Sequence, residues 1–381
     1  MGTKKGNGEG SIYKHKRNGK KVGYRGAYTV YTVAGPKRRY VNGKTREEVR
    51  QKLTKGMADR DGGLVFDAGS LSVEEYLERW LKDSVKGTVR QSTYEVYEHM
   101  IRPHIVPGLG RVKLKTLSPA HVRGFYREKL DSRLSPATVH KMHVVLHKAL
   151  DQAVSDGLIP RNAAKGVKVP QTRKKEIHPL TPEQVKALLE AARGDRLEAL
   201  YLLAISTGLR QGELLALKWE DVELEDAVLR VRRTLTRTRG RVALGPPKTN
   251  NSRRSVGLTA DAVQALRAHL SRQLQAMERM GSLYRPGGLV FANESGGIIN
   301  RSNLRNRSFA RLLKRADLPP DTRFHDLRHT CATLLLSRNV NPKIVSEMLG
   351  HSSIAITLDT YSHVLPTMQD SAVRALEDAL K

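Results

Sequence analysis

The sequence predicts a multidomain chain with three parts: a small β-sheet-plus-helix N-terminal domain, an all-α helical domain, and a mainly α (α+β) C-terminal domain. Three observations predict this. Residues 1–60 hold short Tyr-, Val- and Thr-rich runs divided by Gly, Asn and Pro, the pattern of strands and turns. From residue 72 to residue 157 apolar side chains recur at helical spacing, in segments that open near Ser or Thr. Residues 160–175 are rich in Pro and Lys/Arg and lose that periodicity, and a newly capped helix then begins at Thr181-Pro182-Glu183-Gln184. A length of 381 residues suits two or three domains.

In order along the chain, Gly10–Lys14, Val22–Val33 and Arg38–Val41 read as three strands, and Thr45-Arg46-Glu47-Glu48 opens a helix with a capping-box pattern. Gly62 to Ser70 reads as a loop. Val73, Tyr76, Leu77, Trp80 and Leu81 mark one face of the next helix. Three more follow at Ser92–Ile105, Ser118–Leu130 and Ser135–Gly157; Ser118-Pro119 and Ser135-Pro136 give the cap-then-proline start that suits a first helical turn. Past the linker, Ala227–Leu258 reads as a small β-sheet with nine basic residues and no acidic one, set between helices that carry Arg210 and Arg328. Met368–Lys381 reads as a short amphipathic helix with Ala372, Val373, Leu376, Ala379 and Leu380 on one side. The expected boundaries are 1–62, 70–160 and 176–381.

Charge narrows the partner. Lys and Arg number 67 against 38 Asp and Glu, a net +29, and residues 1–60 alone carry 17 against 4. Such an excess calls for a polyanion, with binding that weakens as salt rises. Anionic lipid or ribosomal RNA would also satisfy charge alone. One cysteine, Cys331, excludes an internal disulfide and fits a reducing compartment. No apolar run nears 18 residues and the opening segment is polar, so the expectation is a soluble, cytoplasmic protein with no membrane partner.

Five positive or proton-bearing positions and a tyrosine stand in fixed order in the C-terminal half. Thr207-Gly208-Leu209-Arg210-Gln211-Gly212-Glu213 holds the first arginine, and Lys248 follows in Pro246-Pro247-Lys248-Thr249. His325-Asp326-Leu327-Arg328-His329-Thr330 holds the second arginine. Leu349-Gly350-His351-Ser352 comes next, and Asp359-Thr360-Tyr361-Ser362-His363 ends the series. A tyrosine hydroxyl, with an ordinary pKa near about 10, is a poor nucleophile at neutral pH. Cations aimed at a phosphodiester lower the cost of forming phenolate there and stabilise charge on the non-bridging oxygens. Arginine suits the task because its planar fork grips phosphate oxygens in pairs and stays charged. His325 falls on the same helical face as Arg328, within reach of a proton on the tyrosine or of the phosphate. His325 and His329, four apart, also have zinc-pair spacing, but no glutamate between them supplies a base and Arg328 opposes a dication. Glu213, one turn past Arg210, reads as a partner that orients it. Neither a metal nor a cofactor is expected.

Together these segments closely resemble the tyrosine recombinase (phage integrase) family over roughly residues 70–381. The resemblance implies a catalytic set of Arg210, Lys248, His325, Arg328, His351 and Tyr361, with Tyr361 as nucleophile, Lys248 protonating the leaving 5′-oxygen and His329 structural. Arg253 and Arg254 compete with Lys248 and are candidate DNA contacts. It implies a helical core-binding domain with Thr88, Arg90, Ser92, Thr93 and Lys141 toward DNA. The basic N-terminal module looks like the arm-site-binding domain of phage-type integrases. Also implied are strand exchange through a 3′-phosphotyrosyl link and a Holliday junction, a homotetramer on double-stranded attachment sites, and a C-terminal helix exchanged between subunits. Accessory bending or directionality factors are further expected partners of such a bacterial or phage-encoded, nucleoid-associated enzyme. The rival expectations are a non-catalytic DNA-binding regulator and a Xer-like dimer resolvase.

Overall fold

The computed structural model describes residues 10–17, 20–32, 35–61, 70–171, 178–238, 240–247, 252–361, 373 and 376–380. It divides into two compact units, 1–174 and 175–381.

The first unit opens with the expected sheet. Strands β1 (Ser11–Arg17), β2 (Lys20–Thr32) and β3 (Gly35–Gly43) run antiparallel in the order β1-β2-β3. Helix α1 (Arg46–Asp61) lays Val49 and Leu53 on Ala27 and Val30. That core is small, so the module keeps Tyr13, Val22 and Tyr40 exposed. Only half of the predicted capping box closes. The Glu48 amide donates to Thr45 Oγ1 at 3.1 Å, while the Glu48 carboxylate accepts from the Lys44 amide at 2.9 Å, one residue before the cap.

The helical part comprises α2 (Val73–Trp80), α3 (Gln91–Met100), α4 (Val106–Leu109), α5 (Pro119–Asp131) and α6 (Pro136–Ser155). Single π-turns at Leu81–Val85 and Ile101–Ile105 extend α2 and α3. Ser72 and Glu75 close a full capping box on α2, and Ser118 and Ser135 cap α5 and α6 ahead of their prolines. α6 is the central element: Val139, Met142, Leu146, Ala149, Leu150 and Ala153 are buried along it at intervals of three and four. The Tyr76 hydroxyl donates to the Ala149 carbonyl at 2.6 Å, and burial pushes its pKa up.

The structure corrects the expected linker. Ile159, Ala163, Ala164 and Val167 are buried in the helical core. Asn162 Nδ2 ties this stretch to α6 through the His147 carbonyl at 2.9 Å and Asp151 Oδ1 at 2.8 Å. The helical part therefore extends past 160, to about Val167. Within 160–175, Ala163, Ala164 and Val167 follow neither a helical nor a strand period, which is why the sequence reads there as a linker.

The second unit builds its core from α7 (Pro182–Ala192), α8 (Glu198–Thr207), α9 (Gln211–Leu214) and α10 (Ala260–Met280), with short helices α11 (Arg301–Asn303) and α12 (Ala310–Arg315). The predicted sheet is present as two. β4 (Val222–Glu223), β5 (Val228–Val231) and β8 (Arg254–Gly257) form one in the order β4-β5-β8, while β6 (Thr234–Thr238) and β7 (Arg241–Gly245) form a separate hairpin. A second cluster gathers α13 (Asp326–Ser337), α14 (Pro342–Leu349) and α15 (Ile354–Tyr361) around Ala332, Leu336, Val345, Leu349 and Tyr361. The expected helix Met368–Lys381 falls largely outside the described residues; where its side chains are described, Val373, Leu376 and Leu380 are exposed. No helix among the described residues is long and apolar enough to cross a membrane.

Candidate active site

Two helix ends organise the site. α8 ends at Gly208 (φ 61°) and α14 at Gly350 (φ 68°), both left-handed caps. A side chain at either would collide: a Cβ at Gly208 would lie 2.5 Å from Leu349, and one at Gly350 2.9 Å from Arg254. The carbonyls that crowd these termini lack intrahelical partners and sit at the negative end of the helix dipole, so they attract cations. Three arginines answer. Arg328 Nη1 donates to the Gly208 and Leu349 carbonyls, each at 2.8 Å. Arg210 Nη2 donates to the Gly350 carbonyl at 2.9 Å, and Arg254 Nε to the Met348 carbonyl at 2.5 Å.

Glu213 locks two of them. Its side chain is 3% exposed and bonds Arg210 Nη1 at 2.9 Å and Arg254 Nη2 at 3.0 Å. Burial alone would raise its carboxyl, but Arg254 and Arg210 outweigh that and hold it below the usual range. The orienting role expected of Glu213 is therefore present in the geometry. Arg210 itself stands in the turn ahead of α9 and not within a helix, as the sequence had suggested.

Arg328, on α13, is 3% exposed. Burial, with Arg210 next to it, lowers its pKa to about 9, which leaves it charged at neutral pH. Its Nη2 is buried with no hydrogen-bond partner. A charged donor left open inside a protein is costly, and a phosphate oxygen is the acceptor that would satisfy it. His351 lies in the same field. Its Nδ1 is 2.8 Å from Thr357 Oγ1, and burial followed by the charges of Arg328 and Arg210 pulls it down to about 4. His325 stands at the N-terminal boundary of α13 without a capping side-chain hydrogen bond and keeps solvent access; partial burial and then Arg328 lower its pKa. Its ring meets that of His329 edge to face at 5.0 Å.

Tyr361 ends α15 and is 1% exposed, with its hydroxyl 2.8 Å from His329 Nδ1. Burial pushes the phenol up to about 12, against the pull of Arg328. His329 is lowered to about 4, by burial and then by His325, so its ring is neutral at pH 7. The sequence offered no sign of this pairing, because 32 residues separate the two.

The structure thus gathers Arg210, His325, Arg328, His351 and Tyr361 into one electrostatic neighbourhood. Lys248 lies outside the described residues. Among the candidate DNA contacts, Arg254 is corrected: its side chain is 7% exposed and its guanidinium is held by Met348, Ser252 and Glu213, inside the domain. Strand parity could have shown this. Arg254 shares a face of β8 with buried Val256, whereas Arg253 and Ser255 take the exposed face. Arg253 is exposed, as are Thr88, Arg90, Ser92 and Lys141, and Thr93 is half-buried at the start of α3. Thr88 Oγ1 donates to the Ser84 and Val85 carbonyls.

Residues 178–368 match the phage integrase family, and residues 72–130 match the N-terminal SAM-like domain of phage integrases. A tyrosine recombinase, XerC-like, from Caldanaerobacter subterraneus subsp. tengcongensis is 33% identical over 383 residues, covering 95% of this chain and 97% of that protein. An integrase of Streptomyces ambofaciens is 30% identical over 345 residues, covering 87% of each. The Tn1549 transposon integrase, solved in complex with a circular intermediate DNA, has the same fold, with a TM-score of 0.68 at 23% identity over 81% of this chain and all of that one. On the family match, the full-length relative and the arginine-tyrosine cluster, the chain belongs to the phage integrase family and is a tyrosine recombinase, a site-specific enzyme that cleaves and rejoins DNA.

Proposed function

We propose that Tyr361 attacks a DNA phosphodiester held by Arg210 and Arg328, so that the strand becomes joined to the enzyme through a 3′-phosphotyrosyl bond and a 5′-hydroxyl leaves. The bond energy is conserved in that link, and a new 5′-hydroxyl can reverse the attack without ATP. The open Nη2 of Arg328 carries this reading, since it is a charged donor, fixed by two carbonyls and lacking an acceptor. Glu213 and the α14 carbonyls hold Arg210 alongside. With Nδ1 engaged by Thr357, His351 keeps Nε2 for a phosphate oxygen. His325 takes or relays the phenolic proton, and Lys248 protonates the leaving oxygen. Tyr361, raised to about 12 and bonded to His329, is the resting form. Attack requires its hydroxyl to leave His329 for the arginine field.

The domain roles proposed are an arm-type DNA-binding module at 1–62, a core-binding domain from residue 70, extended from the expected 160 to about Val167, and a catalytic domain at 176–381. The basic N-terminal sheet, and relatives named integrases across most of their length beside the XerC-like one, favour integration and excision of a mobile element over dimer resolution. The lambda integrase was solved as a tetramer on a Holliday junction, and the same assembly, with the C-terminal helix exchanged between subunits, is proposed here. The intact cluster argues against a regulator that merely binds DNA.

The test is a suicide substrate nicked beside the cleavage position, in EDTA. Wild type accumulates a covalent protein–DNA adduct and Tyr361→Phe accumulates none. An adduct that persists in Tyr361→Phe refutes the nucleophile, and a strict need for divalent metal refutes the metal-free chemistry.

A further inference from the structure

Arg254 stands beside Arg210 and Arg328 without a place in the proposed chemistry. Its backbone is fixed by the sheet, where it pairs with Val231 of β5. From there its side chain reaches three separate segments. Nε donates to the Met348 carbonyl at 2.5 Å, Nη1 to the Ser252 carbonyl at 3.1 Å and Nη2 to Glu213 Oε2 at 3.0 Å. All three guanidinium nitrogens are thus engaged and the side chain is buried, so it is not placed to grip a phosphate itself. It also lies against Gly350, where a Cβ would come within 3.2 Å of both Cδ and Cζ of Arg254.

Two links lead from Arg254 to Arg210. The first is Glu213, whose Oε1 accepts from Arg210 Nη1 at 2.9 Å while Oε2 accepts from the Arg210 amide and from Arg254 Nη2, each at 3.0 Å. A carboxylate gripped from both sides by guanidiniums has its plane fixed, and so holds the more exposed Arg210 in one orientation. The second link is the end of α14. There the consecutive carbonyls of Met348, Leu349 and Gly350 accept from Arg254, Arg328 and Arg210 respectively. One helix terminus therefore spaces three guanidiniums, and Arg254 ties that terminus to the sheet.

We propose that Arg254 is a positioning residue for strand cleavage: through Glu213 and the α14 carbonyls it fixes the Arg210 guanidinium relative to Arg328 before DNA arrives. The inference rests on the role proposed above for Arg210 at the phosphate. Displacing a positioned group by roughly 1 Å costs on the order of 10² in rate. Lysine at 254 would keep the charge but lacks the planar fork that serves three acceptors at once.

The test is single-turnover cleavage by the full-length protein of two nicked substrates, one with an ordinary scissile phosphodiester and one with a methylphosphonate there, each diastereomer taken separately. The methyl group replaces a charged non-bridging oxygen, so a guanidinium aimed at that charge matters less. Arg210→Ala should lose about 10²–10³ on the diester and about tenfold or less on one phosphonate diastereomer. Arg254→Gln should lose about 10–10² on the diester and show relief on the same diastereomer, with duplex affinity near wild type. Arg254→Lys should lose less and be relieved in the same way, and it carries the test if Arg254→Gln does not fold. A merely structural loss slows both substrates alike, and Leu146→Ala, in the helical core, supplies that reference. The inference is overturned if the Arg254 variants lose equally on both substrates while Arg210→Ala is relieved, or if they cleave the diester at the wild-type rate. If Arg210→Ala is not relieved either, the role of Arg210 falls and this inference falls with it.

Discussion

The helical part from Val73 to Val167 and the catalytic unit hide different things. The first is an apolar core whose buried polar anchors are modest: Asn162 and the Tyr76 hydroxyl, each hydrogen-bonded. The second buries Glu213, Asp221, Arg254, Asp326 and Arg328 beside an apolar core of similar quality. Buried charge is a poor way to gain stability, because desolvation offsets most of the Coulomb attraction. The catalytic unit accepts that cost where helix ends, glycines and guanidiniums converge. Pre-orienting a donor before substrate arrives is what such an arrangement gains, since no reorganisation is then needed during the reaction.

The contrast can be tested first through stability. Glu213→Ala strands Arg254 in the interior, and removal of one partner of a buried pair costs about 3–5 kcal/mol. Leu146→Ala, in the helical core, costs about 2–5 kcal/mol by leaving a cavity. Urea unfolding of both variants should show a loss of this size in each, and a loss below about 1 kcal/mol for Glu213→Ala would mean that its pairing is not structural. Next in size is a rate effect. Arg328→Lys keeps charge but loses the fork, and single-turnover cleavage should fall by about 10²–10³. Duplex affinity should stay near wild type in a gel-shift titration. Lost affinity with preserved cleavage per bound complex would instead make Arg328 an anchoring residue.

Much of this was legible in the sequence, for a physical reason. Strands announce themselves by alternation, helices by spacing and caps, and Ser72, Ser118, Ser135 and Thr181 all cap helices as read. The ordered arginines, histidines and tyrosine marked the site because phosphate chemistry demands those groups. What stayed hidden depends on tertiary contact. The carbonyls of Gly208 and Leu349 carry no side-chain signature, and the pairing of Tyr361 with His329 is invisible to any local period. Ala163, Ala164 and Val167 read as linker because three apolar residues without a period mark no element, although all three anchor the helical core. Arg254 was misread by weighing its charge and neglecting its parity in the strand.

A smaller effect is read by pH, and it is largest in the catalytic unit, although burial also lowers His104 and His143 in the helical part. His329 and His351 sit near 4 in the folded chain, against about 6.5 when unfolded. Between those values the unfolded state binds more protons, so stability is fully present above about 6.5 and is lost as pH falls toward 4. Glu213 and Asp326, both lowered, act in the same direction but only below the ordinary carboxylate range. Melting curves from pH 7 to pH 4.5 should therefore slope downward with acid. His351→Gln should flatten the slope, and an unchanged slope would show that this ring is not held neutral.

The smallest expected effect is the sharpest, because it compares adjacent residues of one type. Arg253→Ala removes an exposed cation and should leave stability within about 0.5 kcal/mol. If Arg253 meets a phosphate, the slope of log affinity against log salt becomes shallower by about 1. Arg254→Ala should do the reverse, since its guanidinium holds Glu213 and the end of α14: the melting temperature falls, and the salt slope of the protein that remains folded stays put. Alternation into β8 makes Arg254 a buried strut and leaves Arg253, just before the strand, exposed, so equal salt slopes for the two variants would remove the distinction between surface charge and buried charge on which the contrast rests.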